Sequence, residues 1–215
     1  MHRLLPLIIA TLTCLQPLAA LASDERVKIT RDLGSVEVVH EGKPVTVQRN
    51  QDAANTIHPK FQRTSRSCPP FCVQPMKIAE GVETIGELGM LDYLKRVSEG
   101  DDSVLVIDSR GPDWVKHGTI PGSINIHYKK LNRRSAEDDE IARLLEEFGV
   151  ERSGEFWNYR WAKTLVFFCN GMWCGQSPTN IKSLLRIGYP PSKLKWYRGG
   201  MQSWETLGLT TVQPD

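Results

Sequence analysis

Hydrophobic positions along the chain follow two periodicities, and the alternation between them predicts the architecture. Leu88, Leu91, Leu94 and Val97 recur at one-face helical spacing across residues 87–97. Val104, Leu105, Val106 and Ile107 form a continuous apolar run ending in Asp108-Ser109-Arg110, the pattern of a strand buried on both faces. A shorter strand is predicted over residues 123–126. Ser135-Ala136-Glu137-Asp138 reads as a capping-box start for a helix with Ile141, Leu144, Leu145 and Phe148 on one face. Leu165-Val166-Phe167-Phe168 repeats the buried-strand pattern. Ser177 as N-cap and Pro178 at the first helical position then open a helix with Ile181, Leu184 and Leu185, stopped at Gly188. Leu194-Lys195-Trp196-Tyr197 is the last predicted strand. Such alternation predicts an α/β fold in three layers, a mostly parallel sheet with helices on both faces. Sites in such sheets gather at the carboxyl ends of the strands.

Ahead of residue 76 the pattern changes. Met1-His2-Arg3 is a short basic start, and residues 4–21 are largely apolar, with Pro6, Gln16 and Pro17 interrupting them. Ala20-Leu21-Ala22 then supplies an Ala-x-Ala cleavage site. This predicts a signal peptide over residues 1–22 and an exported protein, most simply periplasmic; the stretch is too short and too interrupted to span a membrane. Residues 23–75 form a polar N-terminal extension. Within it, Val36–Val39 and Val45–Val47 flank a turn-rich segment and predict a β-hairpin. Residues 49–66 lack periodicity and read as an extended wrapping segment. In Cys68-Pro69-Pro70-Phe71-Cys72 the two prolines stiffen the spacer and hold both thiols near each other. A local disulfide between Cys68 and Cys72 and pairing with later cysteines are both open. Residues 76–215 are then one α/β domain.

The formal charge of +2 over 215 residues falls to about +1 without the leader, which carries Arg3. Such a balance gives no support for nucleic-acid binding or strong membrane attraction. Cys68, Cys72, Cys169 and Cys174 remain beyond the leader. An even number in an exported chain points to disulfides. A zinc site from all four would need unusual spacings, so neither a metal nor another cofactor is expected.

Cys169 carries the candidate chemistry. It ends the 165–168 strand and opens the loop Asn170-Gly171-Met172-Trp173-Cys174-Gly175-Gln176, ahead of a helix. A loop of this kind turns backbone N–H groups inward, and the helix adds its positive N-terminal end. That field favours thiolate over thiol and makes Cys169 a candidate nucleophile. Cys174, five positions on, has two open readings. It resolves an oxidised or persulfidated Cys169 by an intraloop disulfide, or it is a packed or structural cysteine beside Trp173. Asp108 and Arg110 either set the charge around the loop or form a structural ion pair. Arg198, before Gly199-Gly200, is a candidate pocket cation or a solvated arginine. His117 reads as a loop residue, and Trp157, Tyr159 and Trp161 as pocket wall or core.

Residues 82–209 resemble the rhodanese-like sulfurtransferase domain. Val104 to Arg110 looks like its strand ending in Asp-x-Arg. Trp114 and the run from His117 to Ile126 look like its Gly-His-Ile-Pro-Gly-Ala-x-Asn-Ile stretch, with His and Gly exchanged. Leu165 to Cys169 looks like the strand delivering its catalytic cysteine, and Arg198 to Trp204 like its Gly-Gly-x-x-x-Trp. The resemblance implies that Cys169 takes a sulfane sulfur from a small donor, becomes a persulfide and passes the sulfur to a thiol or other thiophilic acceptor. One departure bears on the donor. Active members usually carry Cys-x-x-x-x-Arg or Lys, whereas here the loop is longer and has no Lys or Arg between Cys169 and Ser177. Loss of that cation counts against a divalent anion such as thiosulfate. The longer loop is similar to that of dual-specificity phosphatases, whose terminal Arg is also absent. Two other readings stand beside sulfur transfer: a thiol–disulfide redox protein using Cys169 and Cys174, and an inactive binding module.

Overall fold

A computed structural model describes residues 26–154 and 156–213; the leader predicted over residues 1–22 lies outside the described residues. The chain opens with an antiparallel hairpin of β1 (Ser35–His40) and β2 (Lys43–Gln48). Glu41 and Gly42 both take positive φ, 50° and 75°, as a two-residue turn matched to strand twist requires. There follow a single helical turn α1 (Pro59–Gln62), β3 (Glu83–Ile85), α2 (Glu87–Ser98), β4 (Val104–Asp108), a second short turn α3 (Pro112–Val115) and β5 (Ile124–Asn125). The rest comprises α4 (Asp138–Glu147), a hairpin of β6 (Glu151–Ser153) and β7 (Phe156–Asn158), β8 (Thr164–Phe168), α5 (Gln176–Arg186), β9 (Leu194–Tyr197) and α6 (Gly200–Thr206).

Five strands form one sheet in the order β3-β9-β8-β4-β5, and every neighbouring pair is parallel. Period-two alternation divides its side chains between two cores. Val104, Val106, Val166, Phe168 and Tyr197 point into one, with Met90, Leu91 and Leu94 of α2 and Met201 and Trp204 of α6. Ile107, Leu165, Phe167, Leu194 and Trp196 point into the other, with Ile141 and Leu145 of α4 and Ile181 and Leu184 of α5. Helices thus cover both faces, as the alternation of apolar runs predicts.

The extension joins the first of these cores. Val38, Val47 and Phe61 are buried in it, and Asn50 N–H donates to the Gly208 carbonyl while Thr210 N–H donates to that of Gln48. The segment from 49 to 66 is therefore interrupted by the α1 turn instead of running extended throughout.

Several element bounds differ from expectation for local reasons. Helix α5 starts at Gln176 behind Gly175, so Ser177 is inside the first turn and its side chain is spent elsewhere. Helix α4 starts at Asp138 with no side-chain cap, and Ser135 Oγ instead donates to the carbonyls of Lys129 and Asn132. The β6–β7 hairpin was not predicted; most of its residues are exposed, so they carry no alternating apolar pattern.

Candidate functional site

Strand β8 ends at Phe168, and Cys169 follows at the carboxyl edge of the sheet with 2% of its surface exposed. The loop is fixed along its backbone. Cys174 N–H donates to the Gly171 carbonyl at 2.9 Å, closing a turn. Met201 and Gln202 N–H donate to the carbonyls of Cys169 and Asn170, both at 2.9 Å. This approach needs glycine at position 200: φ is +55°, and a Cβ there would stand 2.3 Å from Cys169 O and 2.8 Å from Gly171 N.

Around the sulfur, the partners carry no formal charge, and apart from the Cys174 carbonyl they are hydrogen-bond donors. Ser177 Oγ donates to Cys169 Sγ at 3.2 Å, and Trp196 Nε1 donates to that Ser177 oxygen at 3.1 Å. The buried indole occupies the hydroxyl as acceptor, which leaves its proton for the sulfur. Cys169 Sγ also lies 3.4 Å from the Cys174 carbonyl. Burial pushes the Cys169 thiol up. Hydrogen bonds from the Cys174 and Ser177 side chains and from the N–H groups of Ser177 and Gly171 outweigh it, bringing the thiol from about 9 to about 7. Cys174 moves the opposite way: burial raises it well above the ordinary thiol range, and the bond to Cys169 and that neighbour's negative charge add to the rise. One thiol ionises near neutrality while the other keeps its proton and donates it. Asn170 Nδ2 donates to Cys174 Sγ at 3.8 Å, and Gln176 Oε1, 3.7 Å from that sulfur, is the alternative acceptor for its one proton.

Trp173 carries the loop to the extension. Its Nε1 donates to Gln202 Oε1 at 2.8 Å, and its ring stands 5.6 Å from that of Phe71 and 6.0 Å from that of Trp114. The guanidinium of Arg66 lies 4.0 Å from the Trp173 ring centre. Gln74 N–H donates to the Met172 carbonyl at 2.8 Å. The extension thus grips the loop from outside and brings a cation beside it, although the loop has none of its own.

The other candidates separate clearly. Asp108 and Arg110 are each 1% exposed and satisfy one another. Asp108 accepts from Arg110 Nε and a terminal nitrogen, at 2.9 and 2.6 Å, and from Thr119 Oγ1 at 2.7 Å, while Arg110 also donates to the Gly118 carbonyl. The pair is a structural knot at the end of β4. Arg198 does not serve the thiol loop as a cation; it donates to the carbonyls of Gln74 and Pro75 and ties the extension to β9. His117 packs against His58 of the extension at 5.3 Å between ring centres. Trp157 and Tyr159 pack on the second core, and Trp161 is exposed. Cys68 and Cys72, with Cα atoms 4.6 Å apart, bring their sulfurs into contact, whereas Cys169 and Cys174 are free thiols. Sequence reasoning missed the roles of three participants: Ser177, its partner Trp196, and Arg66. A serine just after the loop was the available clue for the first.

A rhodanese-like domain model matches residues 90–207, more than half of the chain. The chain belongs to the rhodanese-like domain family. Among curated proteins none matches. Similar solved structures include a Rhodopseudomonas palustris protein described as a possible tyrosine phosphatase, 20% identical with a TM-score of 0.40, covering 63% of this chain and 88% of that one. A human single-domain sulfurtransferase is 18% identical with a TM-score of 0.38, covering 58% of this chain and 96% of its own. A thiosulfate sulfurtransferase from Pseudomonas aeruginosa is 18% identical with a TM-score of 0.41, covering 62% of this chain and 21% of that one. The rhodanese-like match includes β4, β8, the thiol loop and α6, and the whole extension precedes it.

Proposed function

We propose that this protein is a sulfurtransferase that carries sulfane sulfur as a persulfide on Cys169. The observation that supports it most is the donor set around the Cys169 sulfur, which holds a thiolate near neutral pH inside a buried loop. In the first half-reaction the Cys169 thiolate attacks the outer sulfur of a donor persulfide. A Cys169 S–S bond forms, the donor's S–S bond breaks, and the donor leaves as a thiolate. In the second, an acceptor thiolate attacks the outer sulfur of the Cys169 persulfide, forming its own S–S bond and releasing the Cys169 thiolate. No net oxidant or reductant is consumed.

An uncharged cradle suits a donor with little charge at the reacting sulfur. Hydrogen bonds from Ser177, Cys174 and two backbone N–H groups match one sulfur anion, whereas thiosulfate brings two charges and meets no loop cation. The same lack of a loop cation disfavours phosphoryl transfer. Export through residues 1–22 and a closed Cys68–Cys72 disulfide belong to the same reading, since an oxidising compartment would preserve that bond and leave the buried loop thiols to their chemistry.

A second reading draws on the contact between the two loop thiols. Reduction of an external disulfide would oxidise Cys169 and Cys174 to an intraloop disulfide, with two electrons passing to the external sulfurs. The raised pKa of Cys174 favours the first reading, because a thiol held protonated is a hydrogen-bond donor before it is a nucleophile.

Peptide mass spectrometry of the non-reduced protein after exposure to an inorganic polysulfide separates these readings. Sulfur transfer predicts a gain of about 32 Da on the Cys169 peptide, lost on adding a thiol acceptor and absent in Cys169→Ser. A loss of about 2 Da linking Cys169 to Cys174 supports the redox reading. An unmodified Cys169 with every donor contradicts both.

A further inference from the structure

One cavity adjoins both the extension and the thiol loop. It encloses about 670 Å³, with walls that include Arg63, Arg66 and Phe71 from the extension, Met172 and Trp173 from the loop, and Gln202 from α6. That volume is within the usual range for a small-molecule site. The two arginines make it electrostatically incomplete. Arg66 stacks on Trp173, donates to the Lys60 carbonyl, and has a buried Nε with no hydrogen-bond partner among the described residues. Arg63 is exposed, and its Nε donates to the Ser65 carbonyl at 3.3 Å. Neither guanidinium meets a carboxylate among the described residues. Glu87 also lines the cavity, where it accepts from the Tyr197 hydroxyl at 3.1 Å without pairing with either arginine. Two like charges are therefore held beside one another against one unpaired carboxylate, and one of the two is partly stripped of water. Burial and the charge of Arg63 both lower the Arg66 pKa. An anion docked between them would offset both penalties.

The position of this charge constrains the ligand. Cys169 is not among the walls, whereas Trp173, four residues further along the loop, is. A cation placed there does not meet the sulfur that reacts; it meets a distant part of the same molecule. A guanidinium fork matches a carboxylate in two parallel hydrogen bonds, and the half-buried ring of Phe71 and the edge of largely buried Trp173 beside exposed Met172 suit a short organic backbone. We propose that Arg63 and Arg66 form a docking site for the carboxylates of a small anionic thiol, which reaches the Cys169 loop as a persulfide donor or as a thiol acceptor. The cation usual in the loop of this family is thereby supplied by the extension, and it selects for charge carried away from the reacting sulfur instead of on it. This inference rests on the sulfur-transfer reading for its chemistry but not for its test.

Isothermal titration calorimetry of the full chain carrying Cys169→Ser, with glutathione as the probe, measures docking without turnover. Glutathione is a tripeptide thiol with two carboxylates, and its diethyl ester supplies the same backbone without them. Arg63→Gln and Arg66→Met, each added to Cys169→Ser, are expected to weaken glutathione binding about tenfold, the loss of one charge-assisted contact. The ester is expected to bind weakly and equally to all three proteins. Arg66→Met keeps apolar contact with Trp173, and Arg63 is exposed, so its variant tests the site even if the other unfolds. Unchanged affinity in the arginine variants, an ester bound as tightly as glutathione, or no binding of glutathione overturns the proposal. Binding to Cys169→Ser together with a Cys169 that never accepts sulfur would contradict the catalytic reading alone.

Discussion

Strands β4 and β8 deliver their ends to the site fully buried, from Val106 to Asp108 and from Leu165 to Phe168. The extension reaches the same site through half-buried side chains such as Arg66 and Phe71, and among its described residues Val38, Val47 and Phe61 are the buried apolar anchors. The sheet edge holds the Cys169 sulfur, and the loop and α5 supply the hydrogen bonds that lower its pKa. The extension supplies charge and an outer wall. A rigid hydrogen-bonded edge is needed where a sulfur must be placed to a fraction of an ångström. Looser packing would suffice for the proposed grip on a ligand's distant end, beside a loop that lacks its own cation.

The sharpest way to break the contrast is at the end of β4. Asp108→Asn removes one partner of the buried ion pair and leaves Arg110 uncompensated, which is expected to cost about 3–5 kcal/mol of stability. Urea denaturation checks it; a loss under about 1 kcal/mol would mean the knot is not what holds the sheet edge. Ser177→Ala comes next. It removes one donor to the Cys169 sulfur and strands Trp196 Nε1, so stability should fall by about 1–3 kcal/mol. The pH midpoint for Cys169 reactivity should rise by about one unit, read by alkylation of the Cys169 peptide. Phe71→Ala should act least on stability, about 1 kcal/mol by thermal unfolding, because its ring is only partly buried. It should nonetheless speed alkylation of Cys169 several-fold by loosening the wall at Trp173. Equal stability losses for Asp108→Asn and Phe71→Ala would erase the distinction between scaffold and wall.

Much of the sheet was legible because its residues answer to local period. Val104–Ile107 and Leu165–Phe168 are apolar on both faces, and α2 shows its buried stripe at Leu91 and Leu94. The loop, too, was legible as a thiol between a buried strand and a helix. What escaped is set by contacts between distant parts of the chain. Ser177 sits where an N-cap is common, yet its hydroxyl is claimed by Trp196 nineteen residues away and by Cys169. Arg66 meets Trp173 across more than a hundred residues, a pairing that leaves no periodic trace. Arg198 looked free to enter the pocket, but the carbonyls of Gln74 and Pro75 lie within its reach and take its donors. Each is a polar group whose role depends on which partner the fold presents.

An uncharged set of hydrogen-bond donors, with no loop cation, brings the Cys169 thiol down to about 7. The rate of Cys169 alkylation against pH, followed by mass spectrometry of its peptide in the folded protein, checks this. Because the folded thiol sits below its ordinary value, thiolate should accumulate as pH rises through about 7, and the rate should reach half its plateau there. A midpoint at the ordinary thiol value of about 8.5 or above would contradict the account, since the donors around the sulfur would then not outweigh its burial.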